Sequence, residues 1–200
     1  MKTLQFSLPY ILYGLTLIPC AKANAEEVTG PATIKIEKNY NLNPTHCTTS
    51  GCAVIYVFSD GTKLKRKGGT RAWRNSNPGN LRYSEKIRQC GAIGQAGGFA
   101  VFPDEATGLQ ALEKLLLSDS YKNLTIADAI YKYAPPHENN TNGYKSYIKR
   151  VTGLNLDKKI TALTPQEFKK VIEAIRVIEG WKTGQEIKIA KMQQTKQNSI

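Results

Sequence analysis

The sequence predicts an α+β fold that is mainly helical, in which a small β region precedes a helical domain. Residues 27–68 contain short alternating or β-branched runs, which are typical of strands. Residues 71–101 are rich in Gly, Asn and Arg and show little periodicity, so we expect a structured loop region. From residue 104 onward, four segments combine helix-capping residues with apolar side chains at helical spacing.

The first 25 residues have the features of a secretory signal peptide. Lys2 precedes an apolar run from Leu8 to Ile18, and Ala23-Asn24-Ala25 forms a small-x-small cleavage site. The apolar run is too short to span a bilayer comfortably. We therefore expect a mature chain of residues 26–200 in the periplasm or outside the cell, without stable insertion into the membrane.

The charge of the chain indicates which partners to expect. Its formal net charge is +12, and a basic protein is attracted to polyanions. Behind a signal peptide, the accessible polyanions are the cell wall and membrane surfaces. The sequence has no helix-turn-helix, zinc-finger or RNA-binding motif, so we expect no nucleic-acid partner. His46 and His137 lack partners at ligand spacing, and no phosphate-binding glycine loop is present, so we expect neither a metal nor a cofactor.

The β region contains three candidate strands. Thr33–Glu37 alternates, Ala53–Phe58 is strongly β-branched and aromatic, and Asp60-Gly61 is a turn signal before an alternating segment at Thr62–Lys65. The last of these strands is very basic, with Lys63, Lys65, Arg66 and Lys67. Two interpretations stay open for that run: an edge strand protected by lysines against aggregation, or a face that binds the cell wall.

Three cysteines remain after removal of the signal peptide. The spacing from Cys47 to Cys52 predicts a turn closed by a disulfide in an oxidising compartment. Cys90 is then left over, and it is interpreted as a buried thiol, a partner for another chain or a nucleophile.

Four helices follow the loop region. The first begins at Asp104 and extends to about Leu117, and the second runs from Thr125 to Tyr133. The third covers Thr141 to about Val151, and the fourth follows Thr164. A short strand is predicted at Glu186–Ile189, before a polar tail that we expect to be loose. The predicted organisation is therefore a β region at 26–69, a helical domain at 70–185, and a strand with a tail at 186–200.

The fourth helix ends at Glu179, the most informative residue of the chain. At about 100° per residue, Glu179 falls within the apolar stripe of that helix, beside Phe168 and Ile175. A carboxylate among apolar neighbours holds its proton more tightly and can act as a general acid at neutral pH. The alternative is that Glu179 lies in a fraying last turn next to Gly180 and points into water.

Three further segments have a familiar order. They are Arg-Asn-Ser-Asn-Pro-Gly-Asn-Leu-Arg at 74–82, Gly-Gly-Phe-Ala-Val-Phe-Pro at 97–103 with Glu105 and Gly108 after it, and Tyr-Ala-Pro-Pro-His-Glu-Asn-Asn-Thr-Asn-Gly-Tyr at 133–144. Over residues 70–182 this order resembles the lysozyme-like hydrolases of phage particles and secreted bacterial effectors. The first two segments resemble bacterial glucosaminidases, and the third resembles the segment of lytic transglycosylases that lines the sugar groove.

The resemblance implies a lysozyme-like helical domain that cleaves the glycan strand of peptidoglycan. In those families the helix with the catalytic glutamate precedes the Asn-rich turn, whereas the matching helix comes last in this chain. We therefore expect a circularly permuted domain, which is acceptable where the termini lie close together. The general acid would be Glu179, and a second carboxylate, if the reaction needs one, would be Glu105 or Glu138.

The resemblance also implies a set of sugar-binding residues. These are Asn77, Asn80, Arg82, Tyr133, Asn140, Tyr144 and Trp181. Structural interpretations stay open beside the functional ones: Asn77 as part of an irregular turn, Tyr133 and Trp181 as core aromatics, and Glu105 as a first-turn carboxylate that favours the helix dipole. For Glu138, Asn140 and Tyr144 the alternative is a polar loop that stiffens the start of a helix.

Two other classes of function are considered. Cys90 and His137 could be the nucleophile and base of a cell-wall endopeptidase. A basic secreted domain could instead bind glycan without cutting it, or inhibit a lysozyme. The sequence does not identify an immunity partner or a secretion-system partner.

Overall fold

The computed structural model describes residues 43–189, which form an α+β fold. The signal peptide at 1–25, the strand predicted at Thr33–Glu37 and the tail at 190–200 lie outside the described residues.

A four-stranded antiparallel sheet combines the start and the end of the described chain. Its strands are β1 (Pro44–Ser50), β2 (Ala53–Phe58), β3 (Lys63–Lys67) and β6 (Gln185–Ile189), in the order β1-β2-β3-β6. The strands predicted near β2, β3 and β6 are confirmed. Because β6 pairs along the whole of β3, the basic strand is internal, and its interpretation as a protected edge is wrong.

The first hairpin places the two nearby cysteines apart. Cys47 lies opposite Tyr56 inside β1, whereas Cys52 lies in the turn between Ser50 and Ala53. Cys47 is three residues from the end of its strand, or about 10 Å, which exceeds the reach of a disulfide. Both residues are free thiols, so the predicted Cys47–Cys52 disulfide is wrong in this structure.

The inner face of the sheet packs against the segment that follows it. Its apolar side chains form a small core with Val101. The Tyr56 hydroxyl donates to the Arg74 carbonyl at 2.7 Å, and burial raises the pKa of Tyr56 to about 12. Arg66 lies between the rings of Tyr56 and Trp73 and donates to the Trp73 carbonyl at 2.9 Å. These contacts fix the sheet against the start of the helical part.

The Gly-, Asn- and Arg-rich stretch is more ordered than its sequence predicts. It contains two short helices, α1 (Arg71–Arg74) and α2 (Glu85–Gln89), and a small hairpin of β4 (Gly94–Ala96) and β5 (Phe99–Val101). The elements are too short for a periodic pattern to reveal, and each depends on contacts with its neighbours.

Four longer helices form the rest of the fold. They are α3 (Glu105–Leu116), α4 (Ile126–Tyr133), α5 (Thr141–Thr152) and α6 (Pro165–Ile178), with a short 3₁₀ turn at Ile160–Ala162. The predicted caps are confirmed: Asp104, Thr125 and Thr164 each accept a hydrogen bond from the backbone three residues on. Such a cap stabilises a helix by about 1 kcal/mol.

The main core lies among these four helices. Each helix contributes fully buried side chains to this core, for example Leu112 of α3, Ile130 of α4, Ile148 of α5 and Ile175 of α6. Gly108 of α3 lies against the Asn-rich turn, where an added Cβ would come within 2.2 Å of the Ser76 carbonyl oxygen. Across residues 43–189, no helix has the length and hydrophobicity of a membrane span.

Candidate active site

The backbone on both sides of Glu179 is held in place at the end of α6. Glu179 is the C-cap residue, and Gly180 follows with φ +78°, a left-handed conformation that glycine adopts without strain. Lys182 then pairs with Thr70: the Thr70 amide donates to the Lys182 carbonyl, and the Lys182 amide donates to Thr70 Oγ1. The chain on both sides of Glu179 is therefore fixed.

Two hydrogen bonds hold the two oxygens of the Glu179 carboxyl group. Asn80 Nδ2 donates to Oε2 at 2.9 Å, and the Tyr144 hydroxyl donates to Oε1 at 3.1 Å. Asn80 Nδ2 also lies 3.3 Å from the Glu179 carbonyl oxygen. The carboxyl group thus has a defined orientation and does not point freely into water.

Burial raises the pKa of Glu179 above its ordinary value. Desolvation is the largest cause, while the hydrogen bonds from Asn80 and Tyr144 and the charge of Arg71 act in the opposite direction. A carboxylate at a helix C-terminus also faces the negative end of the helix dipole, which disfavours its ionised form. The site therefore favours a carboxyl group that keeps its proton to a higher pH than an exposed glutamate does.

The Asn-rich turn places Asn80 opposite the carboxyl group. Asn77 is fully buried; it donates to the Leu81 and Ala100 carbonyls and accepts from the Leu81 amide, each at 2.9 Å. Asn80 has φ +46°, a left-handed conformation that asparagine tolerates better than most residues. Asn77 therefore builds the turn, and Asn80 projects from it toward Glu179.

Arg71 completes a chain of contacts that ends at Glu179. Its Nε donates to Asn80 Oδ1 at 3.2 Å, and its guanidinium carbon lies 3.5 Å from the centre of the Phe99 ring. The amide of Asn80 is thereby oriented, since its oxygen faces Arg71 and its nitrogen faces Glu179. Stacking on Phe99 leaves the planar guanidinium against the wall of the site.

Two tyrosines form the other side of the site. Tyr133 and Tyr144 pack edge to face, with ring centres 6.4 Å apart, and the Tyr133 hydroxyl donates to the Gly79 carbonyl. Burial raises the pKa of both phenols well above the ordinary value, so both keep their protons. An added Cβ at Gly79 would meet the Tyr133 hydroxyl at 2.7 Å, so the close approach requires glycine.

A cleft of about 600 Å³ is lined by Arg71, Gly79, Asn80, Tyr133 and Glu179, among other residues. Its wall combines Glu179 and Asn80 with aromatic rings and with the cations Arg71, Arg82 and Lys132. Glu138 also lines the cleft, and its carboxylate is paired with Arg82 at 2.8 Å. The hydrogen bond from Arg82 lowers the pKa of Glu138. The cleft therefore contains one carboxyl group whose pKa is raised and another whose pKa is lowered.

Not every residue predicted for the site reaches this cleft. Glu105 forms an ion pair with Arg176 at 2.7 Å, and Trp181 packs against the Arg176 guanidinium. Asn140 caps α5 by accepting from the Gly143 amide at 3.0 Å. The predicted residues that do not line the cleft are Asn77, Glu105, Asn140, Tyr144 and Trp181, although Tyr144 reaches it through its hydrogen bond to Glu179. The structural interpretation of Glu105 and Asn77 applies instead.

Cys90 and His137 are not joined as a nucleophile and its base. Cys90 is the C-cap of α2 and packs against the main core, whereas the exposed His137 imidazole lies 3.5 Å from Glu138. Within residues 43–189 no hydrogen bond links the two side chains.

The sequence interpretation missed Arg71, Phe99 and Lys132 as residues of the cleft. For Arg71 the available signal was its place in the Arg- and Asn-rich stretch beside the turn. Lys132 is an ordinary helix lysine by sequence, and only the packing of α4 brings it to the cleft.

No group of three or more His, Cys, Asp or Glu side chains suited to a metal ion occurs in the described part of the chain. Comparison of the chain with protein-family models, with curated proteins and with solved structures gives no significant match in any of the three.

Proposed function

We propose that this protein is a secreted or periplasmic enzyme that cleaves the glycan strand of peptidoglycan, with Glu179 as the general acid. The observation that carries the proposal is the Glu179 carboxyl group. It is desolvated in a cleft, its pKa is raised, and Asn80 and Tyr144 orient it. Cleavage of a glycosidic bond requires a proton on the leaving oxygen. A carboxyl group that still holds its proton at the pH of the reaction supplies it.

The second carboxylate of the cleft, Glu138, is the residue that a hydrolytic reaction would use in addition to Glu179. Environments that push two pKa values apart are the usual sign of an acid and a base in one site. Glu179 is the group with the raised pKa, and Glu138 is the group with the lowered pKa. Glu138 would activate or replace water in a hydrolase, whereas a lytic transglycosylase needs Glu179 alone because the 6-hydroxyl of the sugar attacks the anomeric carbon.

The other lining residues suit an amphipathic, partly anionic polymer. Phe99 and Tyr133 contribute aromatic side chains to the wall, while Asn80 and Asn139 offer amide groups that can bind sugar hydroxyl and N-acetyl groups. Arg71 and Lys132 would attract the carboxylates of peptide stems. We further propose that the domain is a circularly permuted lysozyme-like fold, because the glutamate helix α6 follows the Asn-rich turn in the chain.

The test is digestion of purified peptidoglycan sacculi, with mass spectrometry of the soluble fragments. Replacement of Glu179 by Gln should lower the rate of solubilisation by about 100- to 10,000-fold, the usual contribution of a general acid. Glu173→Gln is the matched control, since Glu173 is an exposed carboxylate on the same helix and lies outside the cleft. That variant should keep the activity of the unmodified chain.

The chemistry of the fragment ends distinguishes the possible routes. Anhydro ends indicate a transglycosylase, and Glu138→Gln should then remain active. Reducing muramic acid or glucosamine ends indicate a hydrolase, and Glu138→Gln should then lose activity. Peptide cuts, or sacculi that are bound and left intact, would contradict the proposed reaction and support an endopeptidase or a glycan-binding module instead.

A further inference from the structure

Three lysines form a row on the outer face of the sheet. Lys63, Lys65 and Lys67 alternate with Leu64 and Arg66 along β3, so their side chains share one face and are spaced about 7 Å apart. Lys63 and Lys67 are exposed, and Lys65 is partly exposed. Within residues 43–189 none of the three has a carboxylate within ion-pair distance.

The position of this row in the sheet rules out two ordinary roles for such lysines, which are protection of a free strand edge and packing against the core. Lysines often protect a free strand edge against aggregation, but β3 is hydrogen-bonded to β2 on one side and to β6 on the other. The row also makes no contact with the core, because Leu64 and Arg66 occupy the inner face. Three like charges in a row repel one another, and the one acidic residue of the described strands, Glu186, is paired with Arg66 instead.

Aliphatic side chains flank the lysines on both neighbouring strands. Residues directly opposite each other in an antiparallel pair lie on the same face. The flanking residues are Ile55 and Ile187 beside Lys65, and Val57 and Ile189 beside Lys63. Ile187 and Ile189 are each 39% exposed. The lysine stems can therefore lie along apolar neighbours while their ammonium groups project outward.

The rest of the face adds no negative charge and no Phe, Tyr or Trp ring. Its other members from β1 and β6 are His46, Thr48, Ser50 and Gln185. The outer face thus has a formal charge of +3 over a surface of mixed aliphatic and small polar side chains. We call the set formed by Lys63, Lys65, Lys67, Ile55, Val57, Ile187 and Ile189 the basic-aliphatic face.

We propose that the basic-aliphatic face docks the protein on the surface of a bilayer that contains anionic phospholipids. The ammonium groups match lipid phosphates in charge, and the exposed isoleucines can enter the apolar boundary beneath the headgroups. A polyanionic glycan would be matched by the charge but gains nothing from exposed isoleucines. A second copy of the chain would bring two faces of +3 together, and their charges repel.

Docking through this face would leave the cleft free. None of the seven residues lines the cleft, so binding to a bilayer and cleavage of a glycan use separate parts of the surface. The proposal therefore extends the proposed function by confining the enzyme to the membrane surface, and it stands or fails independently of that function.

The test measures partition of the full chain between water and phosphatidylcholine vesicles with or without phosphatidylglycerol, by co-sedimentation over a range of lipid concentrations. Each lysine near an anionic surface contributes about 1 kcal/mol, which is about a fivefold change in partition. The variant K63Q/K65Q/K67Q should therefore bind anionic vesicles about 100-fold more weakly. Binding of the unmodified chain should also fall at high salt, because salt screens surface charges.

Two further variants make the comparison specific. K114Q/K169Q/K170Q removes the same charge from exposed helix positions outside the face and should change partition by less than about threefold. K63R/K65R/K67R keeps the charge and should keep the binding. Every variant retains the N-terminal apolar run, so this run contributes the same affinity for lipid to all of them. Circular dichroism confirms that the sheet is intact.

Three results would overturn the proposal. One is equal weakening by the two Lys→Gln triple variants, which would indicate attraction by net charge alone. Another is equal binding of the unmodified chain to neutral and anionic vesicles. The third is the absence of vesicle binding. If light scattering then shows a dimer, another copy of the chain occupies the face. If it shows a monomer, the chain's own N-terminal segment is the occupant.

Discussion

At the scale of single residues, the Glu179 carboxyl group is set by opposing influences. Desolvation favours the protonated form, while hydrogen bonds from Asn80 and Tyr144 favour the ionised form. The two donors orient the group without cancelling the effect of burial, since the pKa remains raised. The result is a carboxyl group with a fixed orientation and a raised pKa, and each hydrogen bond adjusts how firmly its proton is held.

Replacement of Tyr144 by Phe isolates one of these influences. The variant removes the hydroxyl that donates to Glu179 Oε1 and keeps the ring that packs against Tyr133. Because a bond to the ionised form is lost, the pKa of Glu179 should rise further. The measurement is a titration followed by NMR of the labelled glutamate carboxyl carbon, which requires no substrate.

The control for this titration is Tyr147→Phe, on the same helix. Tyr147 is partly buried and packs against Arg150, without contact to Glu179. Its variant should leave the titration of Glu179 unchanged. A midpoint for Tyr144→Phe that stays the same or moves to lower pH would show that the hydroxyl does not stabilise the carboxylate.

At the scale of elements, the start of α5 separates a structural role from a binding role. Asn140 was predicted to bind sugar, yet its side chain accepts from the Gly143 amide and begins the helix that contains Tyr144. Asn140→Ala should lower the free energy of unfolding by about 1 kcal/mol. For a chain of this size, that lowers the melting temperature by about 2–4 °C.

The conservative variant gives the sharper comparison. Serine caps a helix about as well as asparagine, so Asn140→Ser should melt close to the unmodified protein in a thermal scan. Both variants should digest sacculi at an unchanged rate well below the melting temperature. A rate that falls in both variants while the stability of Asn140→Ser is unchanged would return Asn140 to the binding residues.

Elements differ in how far the sequence alone can predict them. The starts of α3, α4 and α6 were predictable because their caps are local, with each hydrogen bond spanning three residues. Strand β1 was not, since its sequence Pro-Thr-His-Cys-Thr-Thr-Ser has no apolar alternation and the strand forms by pairing with β2. The internal place of β3 depends on β6, which follows more than a hundred residues later.

The site was predictable to the same limited degree. Glu179 could be found because a carboxylate at the end of an apolar stripe is unusual within its own helix. Its partners could not be derived in the same way, because Asn80 and Tyr144 are 99 and 35 residues away in the chain. The resemblance to lysozyme-like enzymes singled out Asn80 and Tyr144, whereas Arg71 lies outside the segments that carry the resemblance and had only its place in the Arg- and Asn-rich stretch as a signal.

At the scale of the whole molecule, the segment between Glu179 and β6 connects the cleft to the sheet. The segment after Glu179 passes so close to the end of β3 that Gly184 has no space for a side chain, since a Cβ there would lie 2.4 Å from the Lys67 carbonyl oxygen. The same segment pairs with Thr70, the cap of α1, and Arg71 follows directly. Pairing of β6 with β3 therefore helps to fix both Glu179 and Arg71.

Because of this connection, we expect the ionisation of Glu179 to be coupled to unfolding of the whole domain. Its pKa is raised in the folded state above the ordinary value of 4.5. The stabilisation from the protonated form is then fully present below about pH 4.5, where folded and unfolded chains both bind the proton. It is lost as the pH rises through the raised pKa, because the folded chain must then accommodate a desolvated charge.

The difference in free energy of unfolding between the unmodified protein and Glu179→Gln should therefore fall as the pH rises from below 4.5 through the pKa of the folded state. Each tenfold difference between the folded and unfolded proton affinities contributes about 1.4 kcal/mol. Urea unfolding at a series of pH values measures the difference, and Glu173→Gln controls for the loss of an exposed charge from α6. A difference that stays flat, or that increases with pH, would mean that the Glu179 carboxylate is accommodated without cost and that the cleft does not favour a proton donor.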